Sequence, residues 1–327
     1  MIDGSPSVSV VVPNWNGRRW LAGCLGSLAR QDPAPLEVIV VDNGSTDGSV
    51  EELDRRHPDV SVLGLTRNTG FAHAANRGLE AARGEIVALL NTDVVIADDW
   101  LARMTAAIAS HPEAASIACK MLSLQEPERL YDAGDILRRD GACEQRGRFM
   151  LDDARWNAPG EVFGACAGAA LYRRAAVISV GGFDESYFAY LEDVDLALRL
   201  RLVGWTCRYE PAVAFHAGEG SSHQLQGGHL RLVERNTLLL VAKAFPVRWL
   251  PFVAYRQLGW ARHALRTHNL RSHLAGAVDA LPLIPGALRA RRALRAGARV
   301  PVEEVVPSRP IRGPRAGRHR SQFSDDH

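Results

Sequence analysis

The sequence has no long uncharged stretch. Its longest segment free of Asp, Glu, Lys, Arg and His is Gly4–Gly17, short of the roughly 18–20 residues with which a helix crosses a bilayer. Cysteine is scarce. Cys24, Cys119, Cys143, Cys166 and Cys207 are scattered, odd in number and without a CxxC, which fits reduced thiols better than a disulfide framework or a zinc cage. The opening MIDGSPS has an acid and no basic flank and does not read as a signal peptide, so the expected location is cytoplasmic. No G-x-G-x-x-G follows the first apolar run, which argues against a dinucleotide dehydrogenase. Net charge is only +2 over 327 residues with 46% apolar content, and this excludes disorder over most of the length.

The small net charge hides an asymmetry. Residues 1–242 hold 23 Lys and Arg against 32 Asp and Glu, whereas residues 243–327 hold 16 against 5. Two differently built regions therefore share the chain. In the first, apolar β-branched runs at 7–12, 36–41, 60–65 and 85–90 alternate with helical spacing at 18–30, 45–56 and 71–83. Such alternation predicts an α/β fold with a mainly parallel sheet covered on both faces. Ligands then bind beyond the carboxyl ends of the strands, where Asn14, Asp42, Asn68, Asn91 and Asp93 stand. Residues 120–161 lose the pattern and read as a loop-rich insert. VFGACAGAALY (162–172) predicts a buried strand, 191–202 a helix, 211–216 a short strand and 230–244 another helix.

Four motifs carry chemistry. VVDNGSTDGS (40–49) sets Asp42 at a strand end. Helix capping by Ser45 or Asp47 explains the turn that follows but not a carboxylate directly off an apolar strand. LLNTDV (89–94) puts Asn91 and Asp93 at the next strand end, oxygen donors suited to Mg²⁺ or Mn²⁺ bound together with substrate phosphates. Glu192, Asp193 and Asp195 crowd one helix start. The helix dipole accounts for one or two of them, but mutual repulsion raises a carboxyl pKa and suits a general base. AFHAGEGSS (214–222) ends a strand with His216, either a backbone-bonded histidine or a metal or diphosphate contact, with Ser221 and Ser222 as phosphate donors.

Taken in order, VVPNWNG (11–17), VVDNGSTDGS, NTGFAHAANRG (68–78), LLNTDV, GACAGAALYRR (164–174), GGFDESYFAYLEDVDLALRL (181–200) and FHAGEGSS with ERN ending at Asn236 resemble the inverting family-2 glycosyltransferases over residues 8–245. The likeness is strongest to the bacterial rhamnosyltransferase-like branch. It implies a GT-A fold and a nucleotide-diphosphate sugar donor, with dTDP-rhamnose expected first and UDP-hexoses second. It further implies that Pro13, Asn14, Asn16, Asp42 and Asn68 serve the nucleotide, Asp42 through the pyrimidine. Asn91 with Asp93 forms the metal and diphosphate site, His216 sits at the metal or the diphosphate, and Arg235 reaches the diphosphate. Asp193, beside Glu192, is the implied base. The family's D-x-D is here N-x-D, one anionic ligand fewer. No Q-x-x-R-W follows residue 216, so single-sugar transfer is expected rather than polymer synthesis. The acceptor class is lipid-linked or saccharide. A non-catalytic nucleotide-binding module and a nucleotidyltransferase are the rival readings.

The expected domains are a catalytic domain over 1–245, a basic amphipathic helical extension over 246–300 and a disordered tail over 301–327. The extension interleaves WLPFVAY (249–255), ALPLIPGAL (280–288) and RARRALRAGAR (289–299). It can lie in a membrane interface, at the inner face of the plasma membrane, or pack as a cap on the acidic domain. The tail has no groove-reading motif, so nucleic acid is not an expected partner.

Overall fold

A computed structural model describes residues 5–218 and 228–306. The first half alternates β1 (Val8–Asn14), α1 (Arg18–Leu28), β2 (Glu37–Asp42), α2 (Ser49–Arg56), β3 (Ser61–Gly64), α3 (Phe71–Ala81), β4 (Ile86–Leu90), β5 (Val94–Ile96) and α4 (Trp100–Ser110). The second half begins with β6 (Ala114–Ser123), β7 (Leu130–Asp132), β8 (Asp135–Leu137), β9 (Cys143–Gln145), β10 (Gly160–Val162) and β11 (Ala169–Arg173). It continues with α5 (Arg174–Ser179), α6 (Glu192–Leu202), β12 (Thr206–His216) and α7 (Gly228–Ala244). The extension contains α8 (Leu250–Arg266), α9 (Leu270–Ala280), α10 (Ile284–Gly297) and α11 (Val302–Val305).

The main sheet runs β10-β12-β6-β11-β4-β1-β2-β3. β3, β2, β1 and β4 pair in parallel, and so do β6 and β12. The sheet is mixed, not mainly parallel, because β11 lies antiparallel between β4 and β6 and joins the two parallel halves. This arrangement keeps β1, β2, β4, β6 and β12 pointing one way, so their carboxyl ends share an edge with the entry to β11. Apolar side chains alternate to both faces of the strands. Val11, Val41 and Leu89 meet α3 and α6 on one face, while Val10, Val12 and Leu90 meet α1 and α4 on the other. At Gly78 of α3 an added Cβ would lie 2.2 Å from Val11 Cγ1, so the helix crosses β1 at a distance only glycine permits.

Three expectations are revised. The strand expected over 162–172 is two strands, β10 and β11, joined by a loop at 163–168 whose small residues let it pass α6. A Cβ at Gly164 would stand 2.7 Å from that of Ala197. The insert at 120–161 is not merely loop: β6 to β9 extend the sheet and add a hairpin in which Asp135, Ile136 and Leu137 pair with Gln145, Glu144 and Cys143. The chain also stays ordered past 301. Val305 and Val306 are buried beside Leu198, Leu202 and Trp249, and Arg139 donates to the carbonyl oxygens of Glu303 and Val306 at 2.9 Å each. The extension packs on the catalytic region through α7, and Arg256 of α8 donates to Asp140 of the insert at 2.8 Å. Among the described residues no helix is long and apolar enough to cross a membrane. Ser221 and Ser222, and the tail beyond 306, lie outside the described residues.

Candidate active site

The carboxyl ends of β1, β2, β4 and β12 open into a cavity of about 540 Å³, within the range that takes a small-molecule ligand. Pro13, Asn14, Trp15, Asn43 and Asn68 form one end. Asn14 is buried, and its Nδ2 donates to Asp42 Oδ1 at 2.8 Å and to the hydroxyls of Ser45 and Ser49 at 3.1 Å each. Its Oδ1 has no hydrogen-bond partner among the described residues. Asp42 lies behind Asn14 rather than in the wall. Its second oxygen accepts from the Ser45 N–H at 3.0 Å, so the carboxylate orients the amide that faces the cavity. Asn16, at φ 51°, also stands back from the wall. Its N–H donates to Ser45 Oγ and its Oδ1 accepts from the Thr46 N–H, both at 2.8 Å, closing one loop on the other. Asn43 Nδ2 donates to Asn68 Oδ1 at 3.1 Å, and Asn68 Oδ1 also accepts from the Gly70 N–H at 2.9 Å.

Asn91, Thr92 and Asp93 form the middle of the wall. The Asn91 N–H donates to the Gly168 carbonyl at 2.8 Å, which ties the end of β4 to the loop before β11. His216, at the end of β12, turns Nε2 toward Asp93 Oδ1 at 3.5 Å. Burial holds its imidazole below the ordinary histidine value, so the ring is neutral at pH 7. Its Nδ1 accepts from the Gly218 N–H at 2.8 Å, which leaves the single ring proton on Nε2. In this tautomer His216 is a donor toward Asp93 or a phosphate oxygen, and its Nε2 also stands 3.5 Å from Asn91 Nδ2. Among the described residues no group of three or more His, Cys, Asp or Glu side chains gathers to hold a metal. Asp93 with the Asn91 amide is a donor set that fits a hard cation only when the ligand supplies further oxygens, as a diphosphate does.

Glu192 and Asp193 also line the cavity, at the N-terminus of α6. Asp193 Oδ2 accepts from the Ala167 N–H at 3.1 Å and Oδ1 from the Val194 N–H at 2.8 Å. Burial raises its carboxyl, and these backbone donors pull it back down by favouring the charged form. Glu192 has less relief: its own backbone N–H favours the charged form, but Oε2 is buried without a partner among the described residues. Burial and the Asp193 charge push Glu192 well above the usual carboxylate range. Both carboxyls are thus raised, and the backbone donors on Asp193 make it the better placed of the two to carry the charge. Asp195, the third acid of the crowded helix start, belongs to the core. It accepts from Arg199 Nε at 2.7 Å and from Lys243 Nζ at 2.6 Å.

The approach to Asp193 is a tight segment in which Phe188, Tyr190 and Leu191 all have φ between 63° and 71°, a conformation costly for side-chain-bearing residues. Asn236 of α7 secures it. Its Nδ2 lies 3.0, 2.8 and 2.7 Å from the carbonyl oxygens of Tyr187, Ala189 and Tyr190. Arg235 Nε donates to Asn236 Oδ1 at 2.9 Å, and Nη2 donates to the carbonyls of Ser186 and Tyr187, so Arg235 faces this segment rather than the cavity.

Residues 9–181 match the family model described as Glycosyl transferase family 2. The chain belongs to that family. A full-length relative from Mycobacterium tuberculosis, N-acetylglucosaminyl-diphospho-decaprenol L-rhamnosyltransferase, is 30% identical over 84% of this chain and 93% of its own. Among solved structures, GalNAc-T7 with UDP, GalNAc and Mn²⁺ is similar at a TM-score of 0.60 and 16% identity, over 74% of this chain and 48% of that one. S. aureus TarS 1-349 is similar at 0.54 and 18% identity, over 89% and 83%. The fold of this glycosyltransferase is accordingly GT-A, with a helical C-terminal region.

Sequence reasoning missed Asn43, Tyr131, Asp135, Arg148 and Asn236 as parts of this site. Asn43 directly follows Asp42 and was legible as a strand-end amide. Tyr131, Asp135 and Arg148 sit in the insert, where periodicity gives no signal, and reach the cavity only through the β8–β9 hairpin and its flanks.

Proposed function

We propose that this glycosyltransferase moves a single hexose from a nucleotide-diphosphate sugar to an acceptor hydroxyl, with inversion at the anomeric carbon. The observation that carries the reading is the Glu192–Asp193 pair lining one cavity with Asn91 and Asp93, the loop at 167–168 bonding Asp193 on one residue and Asn91 on the next. A free hydroxyl is a weak nucleophile. Asp193 accepts its proton as the oxygen attacks the anomeric carbon, and the bond to the diphosphate oxygen breaks with its electron pair leaving on the diphosphate. One base and one leaving group, with no second nucleophile assigned, correspond to a single displacement, hence inversion. Glu192, whose carboxyl is pushed well above the usual range by burial, favours the neutral form and so limits negative charge beside the base. Asn14, held by Asp42, accepts an N–H from the nucleobase. His216 Nε2–H donates to a diphosphate oxygen. Mg²⁺ or Mn²⁺, when held by Asp93 and the Asn91 amide together with the diphosphate, supplies charge neutralisation on the leaving group.

The relative's L-rhamnosyl activity supports dTDP-rhamnose as first donor, with UDP-hexoses second. Its diphospho-decaprenol acceptor supports a lipid-linked one here. Peripheral contact with an anionic membrane belongs to the same reading. On the outer side of α8, Tyr255 and Leu258 are 59% and 72% exposed, near Arg262 and Arg266, while Val253 and Ala264 pack inward. A screen of dTDP-rhamnose and UDP-hexoses, with and without a prenyl-diphosphate-linked N-acetylglucosamine, tests the proposal through release of nucleoside diphosphate and the anomeric configuration of the product. Release from one donor, stimulated by acceptor and giving the inverted anomer, is expected. No release from any nucleotide sugar by the folded chain would overturn it.

A further inference from the structure

The cavity is short of positive charge. Asp93, Asp135, Glu192 and Asp193 line it, as does Glu144, which pairs with Arg138 at 2.6 Å. Asp135 Oδ2 and Glu192 Oε2 are buried with no hydrogen-bond partner among the described residues. A diphosphate entering the cavity meets the carboxylates of Asp93 and Asp193, fixed at the starts of β5 and α6. Among the described residues, Arg148 is the only Lys or Arg that lines the cavity. The cation that the sequence pattern suggested for this role, Arg235, is bound to backbone carbonyls elsewhere.

Arg148 is held ready rather than neutralised. Among the described residues no carboxylate stands at ion-pair distance from its guanidinium. Nη1 donates to Gln145 Oε1, and the planar group lies 4.2 Å from the centroid of the Tyr131 ring. Tyr131 in turn stacks on His216 with centroids 4.2 Å apart and planes at 31°. The column Arg148–Tyr131–His216 therefore ends beside Asp93. A guanidinium braced on an aromatic face keeps its fork of donors oriented and loses little freedom on binding, which suits planar, two-pronged contact with phosphate oxygens.

We propose that Arg148 is the diphosphate clamp of this site, with Tyr131 as the residue that positions it. The proposal rests on the donor reading above. Two diphosphates could use it: that of the nucleotide donor and that of a lipid-linked acceptor.

The test is calorimetry on the full chain with three probes: UDP or TDP, the matching nucleoside, and farnesyl diphosphate. Wild type is compared with Arg148→Ala, Arg148→Lys and Tyr131→Ala. Arg148→Ala should weaken nucleoside diphosphate binding by about 10- to 100-fold, as loss of a charge-assisted contact does, and leave the nucleoside unchanged. Arg148→Lys should recover part of that loss, and Tyr131→Ala should reproduce part of it. A loss confined to farnesyl diphosphate assigns the same clamp to the acceptor. Equal binding of both diphosphates by wild type and Arg148→Ala overturns the clamp while the donor reading stands. A wild type that binds neither diphosphate overturns the donor reading and the clamp with it.

Discussion

Replacing Asp193 by Asn separates the chemistry of the site from its stability. The native carboxylate accepts two backbone N–H groups, one on each oxygen, from Ala167 and Val194. An amide has one oxygen, so one of those donors must face an NH₂ group. The lost hydrogen bond to a charged acceptor costs about 1.5–3 kcal/mol. Against that, the substitution removes a negative charge that helps to push Glu192 and Asp135 well above the carboxylate range. The two terms oppose each other, and the melting temperature should move by only a few degrees. Donor binding should hold within about threefold, because the proposed diphosphate contacts are Asn91, Asp93 and His216 rather than Asp193. Turnover should fall by at least about 100-fold, the lower end for a general base. Glu192→Gln mimics the neutral form that burial favours at this position and should keep kcat within about tenfold. The assay is release of nucleoside diphosphate at saturating donor and acceptor, alongside calorimetric melting. In wild type, kcat/KM should fall as pH drops through a value above the ordinary carboxylate range, since burial raises Asp193. A folded Asp193→Asn variant that keeps kcat within about tenfold of wild type would refute the assignment.

Four further outcomes follow from the same structure. Mn²⁺ should bind weakly or not at all alone but tightly with nucleoside diphosphate, and Asp93→Ala should abolish the difference; strong binding of Mn²⁺ to the ligand-free chain would contradict a donor set completed by the diphosphate. Uracil and thymine nucleotides should bind about 10- to 100-fold more tightly than cytosine ones, since a mismatched buried polar group costs about 1–3 kcal/mol; Asp42→Ala frees Asn14 and should flatten the preference, and equal CDP and UDP affinity in wild type would sink it. Burial lifts the Asp132 carboxyl to about 7, so between the unfolded carboxyl value and 7 the folded chain holds a proton that the unfolded chain lacks; stability should fall as pH rises through that window, by at most about 1.4 kcal/mol per pH unit, and melting curves of Asp132→Asn with an unchanged pH slope would refute the cause. Full-length chain should float with anionic but not neutral vesicles, and Leu258→Asp should reduce flotation several-fold; equal flotation of both would remove α8 as the contact.

Much of the site was legible because chemistry-bearing residues followed directly on apolar strands. Asn14, Asp42, Asn91 and His216 end or follow strands that point the same way, and parallel pairing places such ends together. The pattern could not say which of them face the ligand. Asp42 and Asn16 look equivalent to Asn14 in sequence, yet hydrogen bonds across 28 to 30 residues turn them into supports. The acids at 192, 193 and 195 present the same ambiguity. Only Lys243 and Arg199, brought in by α7 and by the next turn of α6, mark Asp195 as a core ion pair.

The amino-acid sequence by itself determined the alternation of strands and helices, the motif order that places the chain in its family, and the basic character of the extension. Local periodicity and residue chemistry carry these, because they depend on near neighbours along the chain. Tertiary structure alone decided the antiparallel placement of β11, the approach of His216 to Asp93, the backbone donors that distinguish Asp193 from Glu192, and the arrival of Arg148 at the cavity. Each depends on contacts between residues far apart in sequence: Ala167 with Asp193, Asp93 with His216, Tyr131 with His216. Burial and hydrogen bonding then set protonation and orientation, and neither quantity exists until the chain has folded.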